Sequence, residues 1–174
     1  MNCMYCGAEI AEGSTFCSKC GKKQVQIYTQ TFRRENLSEE EFIAQINNWF
    51  ASYPQVANVK GKFLTHQGTG LFVNKYVLDA FSIEYELFSG VNDNQYGVIN
   101  LSTTGIVKSS TDELLARWLQ SNPGAQILAR EGGVNQRGQT GSLILSSGFG
   151  AVNKTQLYVF FKFNRATGTG VPHP

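Results

Sequence analysis

All four cysteines of the chain lie within its first 20 residues, as Cys3-Met4-Tyr5-Cys6-Gly7 and Cys17-Ser18-Lys19-Cys20-Gly21. Two thiolates three positions apart on a tight turn can grip one side of a tetrahedral ion. A second such turn completes the shell, with Zn–S bonds of about 2.3 Å. The glycine after each pair suits a turn that leaves its last residue in a conformation favouring a missing Cβ. Backbone amides can then point at the sulfurs and stabilise their charge. Four sulfurs close the shell, so the metal is expected to be structural: one zinc ion held by Cys3, Cys6, Cys17 and Cys20.

Competing chemistries fit less well. A disulfide framework needs an oxidising compartment, and Met1-Asn2 lead straight into Cys3 with no export signal. A thioredoxin-like redox pair expects one CxxC beside a βαβ pattern, not two matched knuckles. A catalytic zinc keeps an open position. Iron in a four-thiolate site stays open, because geometry does not separate it from zinc.

Residues 3–21 resemble the short zinc ribbons at the N-termini of many bacterial proteins: CxxCG, a small polar loop, then FCxxCG, with Phe16 before Cys17 and Gly13-Ser14 in the loop. The resemblance implies a ribbon-like or treble-clef-like pair of knuckles with a structural metal and a surface for protein or nucleic-acid contacts. Many such proteins continue into a transmembrane helix; no apolar run here approaches the ~20 residues that needs. Tyr5, Ile10 and Phe16 are the candidate ribbon interior, too little core for ~20 residues to fold without the ion.

The metal also changes the charge argument. With 15 basic and 13 acidic residues the chain carries a formal +2. Four thiolates and a divalent ion together bring it to zero. Up to residue 34 there are five basic residues (Lys19, Lys22, Lys23, Arg33, Arg34) and two acidic ones; the remainder has ten and eleven. A nucleic-acid binder more often shows a strongly basic domain or stripe.

Two helices are well marked. Ser38 with Glu41, and Ser110 with Glu113, form capping boxes, and Leu37 and Phe42 occupy staple positions for the first. Phe42, Ile46, Trp49, Phe50 and Tyr53 recur at helical spacing before Pro54; Leu114, Leu115, Trp118 and Leu119 do so before Asn122-Pro123-Gly124. Strands are expected at 25–32, 56–66, 70–77, 81–88, 96–103, 126–131, 142–148 and 155–163. The two helix starts are offset by 72, and Thr69-Gly70 and Thr140-Gly141 by 71. Each half then reads strand, helix, strand, strand, strand, a possible pseudo-twofold duplication. Against it stands the fact that capping boxes are common.

Catalytic constellations are sparse. His66 precedes a Gly-rich turn and His173 lies in a Gly/Thr/Pro tail. No GxSxG, HExxH or GxxxxGK[ST] is present, and no Gly-x-Gly opens a helix. Glu39 to Glu41 read as a helix start, Asp79 as a turn residue, Asp112 as part of a cap, and Trp49 and Trp118 as core. The 130–141 loop, with Arg130 and Arg137, is the best further candidate for binding an anionic partner, with a floppy hairpin as the plainer reading.

The expected architecture is α+β: a zinc ribbon at 1–23, an antiparallel-sheet domain with two helices at 24–166, and a disordered tail at 167–174. The expected function is a cytoplasmic, non-enzymatic adaptor acting on a protein partner. Nucleic-acid binding through ribbon and sheet is the alternative. A small-ligand carrier or enzyme, with a pocket between sheet and helices, is a further one.

Overall fold

The computed structural model describes residues 1–69, 74–88, 90, 92–105, 110–136 and 153–164. After the N-terminal segment the elements run β1 (Ile27–Arg33), α1 (Glu39–Ser52), β2 (Val56–Thr69), β3 (Asn74–Leu87), β4 (Asn94–Gly105), α2 (Thr111–Ser121), β5 (Gln126–Gln136) and β6 (Asn153–Asn164). The strands form two antiparallel three-stranded sheets, ordered β1-β3-β2 and β4-β6-β5. The class is α+β. Among the described residues no helix is long and apolar enough to cross a membrane.

Among the described residues each half reads β-α-β-β; in the first half one strand stands where two were expected. The strands read at 70–77 and 81–88 are one strand, β3, continued through Asp79 by a bulge: Leu64 pairs with Ala80 and Thr65 with Leu78, leaving Asp79 as the extra residue. Asp79 is thus a bulge residue rather than a turn residue. Residues 130–136 of the expected loop belong to β5. The rest of that loop with Arg137, the strand read at 142–148, Gly70, Thr140-Gly141, His173 and the 167–174 tail lie outside the described residues.

The halves match beyond element order. Both capping boxes form, and both C-caps share one conformation (φ −123°, ψ 66° at Tyr53; φ −129°, ψ 63° at Asn122), each followed by proline. The offset of 72 at the N-caps falls to 69 at the C-caps because α1 has 14 residues and α2 has 11. The first strand after each helix carries an extra residue near its start, between Ala57 and Lys60 in β2 and at Leu128 in β5.

Packing of the halves differs. In β3, Phe81 and Ile83 face the core while Glu84 is exposed, so the first sheet has one wet face. In β6, Tyr158 and Phe160 point into the main core and Leu157, Val159, Phe161 and Phe163 into a second one under Trp118 of α2. A strand buried on both faces needs apolar residues at every position, which explains the unbroken run from Leu157 to Phe161. Helix α1 touches both sheets: Trp49 packs edge-on to Phe32 and Tyr85, while Phe50 stacks on Phe160. The space between α1 and the sheets is filled by Phe42, Ile46, Phe50, Phe81 and Phe160.

Polar groups fasten the seam between halves. Asn47 of α1 donates to the Val98 carbonyl (2.9 Å) and accepts from its N–H (2.8 Å), covering the edge of β4. Glu39, at the start of α1, accepts from Tyr158 Oη (2.8 Å), from Gln156 Nε2 (3.4 Å to each oxygen) and from Asn100 Nδ2. A second Tyr–Glu contact joins Tyr76 of β3 to Glu131 of β5, and Thr65 donates to the same hydroxyl.

Burial, and next the Glu39 carboxylate, push the Tyr158 phenol well above the ordinary tyrosine range. A folded-state pKa raised above the unfolded value of about 10 contributes stability that is full below pH 10 and lost as pH rises beyond it. Tyr158→Phe is accordingly expected to cost about 1–3 kcal/mol at pH 7. Between pH 9 and 11 it should lose less stability than the parent protein. Urea denaturation across that range reads both effects; equal slopes would show that the phenol does not carry the linkage.

Candidate metal centre

Each knuckle is built by the same few backbone bonds. The amide of Gly7 donates to the Cys3 carbonyl (2.9 Å) and that of Gly21 to Cys17 (2.8 Å), with φ of +69° at both glycines. An L side chain rarely adopts that conformation, which is why glycine follows each pair. Cys3 N–H bonds the Ala8 carbonyl and Cys17 N–H the Lys22 carbonyl, and short bridges Asn2↔Glu9 and Phe16↔Lys23 close the two hairpins. The whole unit repeats at an offset of 14.

The sulfurs converge. All four Sγ atoms lie within 4.8 Å of one another, with Cys3–Cys20 and Cys6–Cys17 at 3.7 Å. A disulfide holds its sulfurs about 2 Å apart. A tetrahedral ion with bonds of about 2.3 Å sets them about 3.8 Å apart, so these four residues fit a divalent metal. Cys3 and Cys17 are buried, while Cys6 and Cys20 are exposed.

Amides are aimed at the buried sulfurs: Tyr5 N–H at Cys3 Sγ, and Lys19 and Cys20 N–H at Cys17 Sγ, each at 3.4 Å. Burial pushes the Cys3 thiol up, but the amides of Tyr5 and Cys6 and the adjacent thiols pull it down to about 6. At Cys17 the Cys20 amide leads, burial opposes it, and the thiol is again lowered. The Lys22 amide favours ionisation of Cys20, yet burial and its three cysteine neighbours push that thiol up to about 11. Crowded sulfurs resist sharing four negative charges unless a cation joins them.

One further group completes the centre. Gln24 is buried and its Nε2 donates to Cys3 Sγ (3.4 Å) and to the Lys22 carbonyl (2.9 Å), while its Oε1 accepts from Met4 N–H (3.2 Å). It ties the second knuckle to the first. The 14-residue repeat places Gln24 where Ile10 sits in the first knuckle, and both backbones bond alike, Ile10 N–H to Met1 and Gln24 N–H to Thr15. A glutamine in a slot that takes isoleucine elsewhere is a sequence signal, though one visible only once the repeat is aligned.

Residues 2–24 match the zinc-ribbon domain. Neither a curated protein nor a solved structure matches the chain. The ribbon interior differs from expectation: Ile10 is buried, but Tyr5 and Phe16 are 51% and 59% exposed, beside Met4 at 59%. The sulfur cage, Ile10 and Gln24 leave those side chains no interior to enter.

The remaining candidates sit elsewhere. His66 Nδ1 lies 2.5 Å from Asp79 Oδ2, which the bulge in β3 brings alongside, but both side chains are about half exposed and occupy open surface rather than a cavity. Arg130 pairs with Asp112 at 2.7 Å, again on the surface, where such pairs contribute about 0–1 kcal/mol. Trp118 is buried and Trp49 sits within a ring cluster, as their helical spacing predicted. Glu39 was legible only as a helix start; its role in the seam depends on β4 and β6, far away in sequence.

Proposed function

We propose that the protein is a non-enzymatic adaptor whose zinc ribbon, closed around one structural ion, presents a contact surface to a protein partner in the cytoplasm. The observation that carries this reading is the outward placement of Met4, Tyr5 and Phe16. A segment this small seldom leaves its large apolar side chains in water without use. Aromatic residues and methionine are also the types enriched at protein interfaces. Reduced, closely spaced thiols suit a reducing compartment. Beside the ribbon, a cleft of about 360 Å³ between Gly13–Thr15 and the strand ends at Leu87 and Phe88 offers a second contact.

A photo-crosslinker placed at Phe16 in cells tests the reading. It should trap one protein species, and the Tyr5→Ser/Phe16→Ser double variant, with the crosslinker moved to Met4, should reduce that yield at least tenfold while keeping its metal. Unchanged capture, or none from Phe16, would contradict the adaptor role.

A nucleic-acid reading has one supporting observation. Lys22 Nζ lies 4.8 Å from the Tyr5 ring centroid, with Lys19 and Lys23 exposed on the same small unit. Stacking on Tyr5 and Phe16 beside lysines would suit a single strand. Oligonucleotide binding that weakens steeply with salt would favour it over a protein partner.

A further inference from the structure

The two sheets have four edge strands, and three of them are protected. β2 carries Lys60 and Lys62 and two breaks in register, with Asn58 at φ +49°. β4 has Val98 capped on both backbone groups by Asn47. β5 is broken at Leu128 and carries Arg130 and Glu131. Bulges, charges and covering elements are the usual defences of a sheet edge against pairing with another chain.

Among the described residues β1 shows no bulge and no cap on its outward backbone groups, and its one charge is the terminal Arg33. Its register against β3 runs unbroken from Ile27↔Glu86 to Arg33↔Ala80. Its sequence, IYTQTFR, has no proline and no charge before Arg33. The Arg34 amide bonds the Asp79 carbonyl, which extends the bonded pairs to the even-numbered residues. The N–H and C=O groups of Ile27, Thr29, Thr31 and Arg33 therefore point away from β3. Among the described residues no backbone group bonds to that side; the Thr31 carbonyl receives only the Gln30 side chain, at 3.3 Å.

We propose that β1 pairs antiparallel with β1 of a second copy of the chain, around a twofold axis at Gln30. That register is the one in which all seven residues overlap, with Ile27 opposite Arg33 and Thr29 opposite Thr31. It places outward-pointing groups opposite outward-pointing groups, giving about eight inter-strand hydrogen bonds. It also sets like with like on each face. Tyr28 meets Phe32 on the core side, and Thr29 meets Thr31 on the solvent side, both favourable cross-strand pairs. No like charges meet: the exposed Glu84 and Lys60 lie one and two strands back from the join. A single strand pair buries less than the ~800 Å² per partner of a standard interface, so the dissociation constant is expected on the order of micromolar. The result is a six-stranded sheet presenting two ribbons, an arrangement that does not depend on what the ribbon binds.

Sedimentation of the full metal-loaded chain tests this. The parent protein is expected to shift from monomer to dimer over the micromolar range. Gln30→Glu and Gln30→Lys each place like charges opposite one another at the axis and should weaken the dimer at least tenfold. An equimolar mixture of the two variants should restore it as a heterodimer. Thr31→Pro removes an outward N–H, leaves the backbone bonds to β3 in place at the loss of one exposed Thr31–Ser82 hydroxyl contact, and should also give monomer. Circular dichroism and metal content confirm that each variant is folded. A parent protein that stays monomeric at several hundred micromolar, or a dimer indifferent to all three substitutions, would overturn the proposal.

Discussion

Substituting Cys17 by Ser is expected to unfold residues 2–24 while leaving the two sheets folded. Cys17 is 1% exposed, its sulfur receives two amides, and its carbonyl anchors the second knuckle's glycine. The ribbon has one buried aliphatic residue besides its cysteines, Ile10, with Ala8 packed against it. At about 0.8 kcal/mol per buried CH₂ that core falls far short of the cost of ordering some 20 residues, at roughly 1–2 kcal/mol each. An ion held by the four thiolates would have to make up the shortfall. Amide exchange or ¹H–¹⁵N spectra should show resonances 2–24 collapsing to random-coil positions in Cys17→Ser, in chelated parent protein, and in acid as the thiolates protonate. The body resonances should hold. A ribbon that stayed dispersed without metal would mean that its fold is encoded in side-chain packing instead.

Phe160→Ala is expected to be the most destabilising single truncation in the body, costing about 3–5 kcal/mol. Its ring is fully buried and stacks on Phe50 of α1, meets Phe81 of β3 edge-on at 5.1 Å, and stacks on Tyr96 of β4. A Cβ on Gly61 would fall 2.6 Å from it, so the ring packs directly against the backbone of β2 and its removal opens a cavity there. Because α1 and β3 belong to one half and β6 to the other, the loss should appear as one cooperative transition at lower denaturant, with metal content unchanged. Truncating the exposed Phe88 should change stability by less than about 0.5 kcal/mol. A loss under 1 kcal/mol for Phe160→Ala would show that the halves do not share a core.

The parts of this structure legible in the sequence are those governed by local chemistry. The capping boxes at Ser38 and Ser110, the helical spacing of Phe42, Ile46 and Phe50, and the alternation of Phe81 and Ile83 with Ser82 and Glu84 each depend on neighbours a few residues away. The four-cysteine centre was equally legible, because ligand spacing is itself local. What escaped depends on long-range pairing. The bulge at Asp79 looked like a turn because one extra residue reverses the alternation, splitting β3 into two apparent strands. Glu39 looked like a helix-dipole residue because its partners Asn100, Gln156 and Tyr158 lie 61 to 119 positions away. Tyr5 and Phe16 were read as interior on residue type alone. In a unit this small the converging sulfurs, Ile10 and Gln24 occupy the centre, and ring side chains have nowhere to go but out.

Cobalt exchange tests the central claim, a shell closed by four sulfurs, most directly. Loaded with one equivalent of Co²⁺, the protein should show the intense visible bands of a tetrahedral all-thiolate ion, saturating at one ion per chain and unmoved by added imidazole or cyanide. Saturation at another stoichiometry, or bands that shift as an added ligand takes up a vacant position, would contradict it.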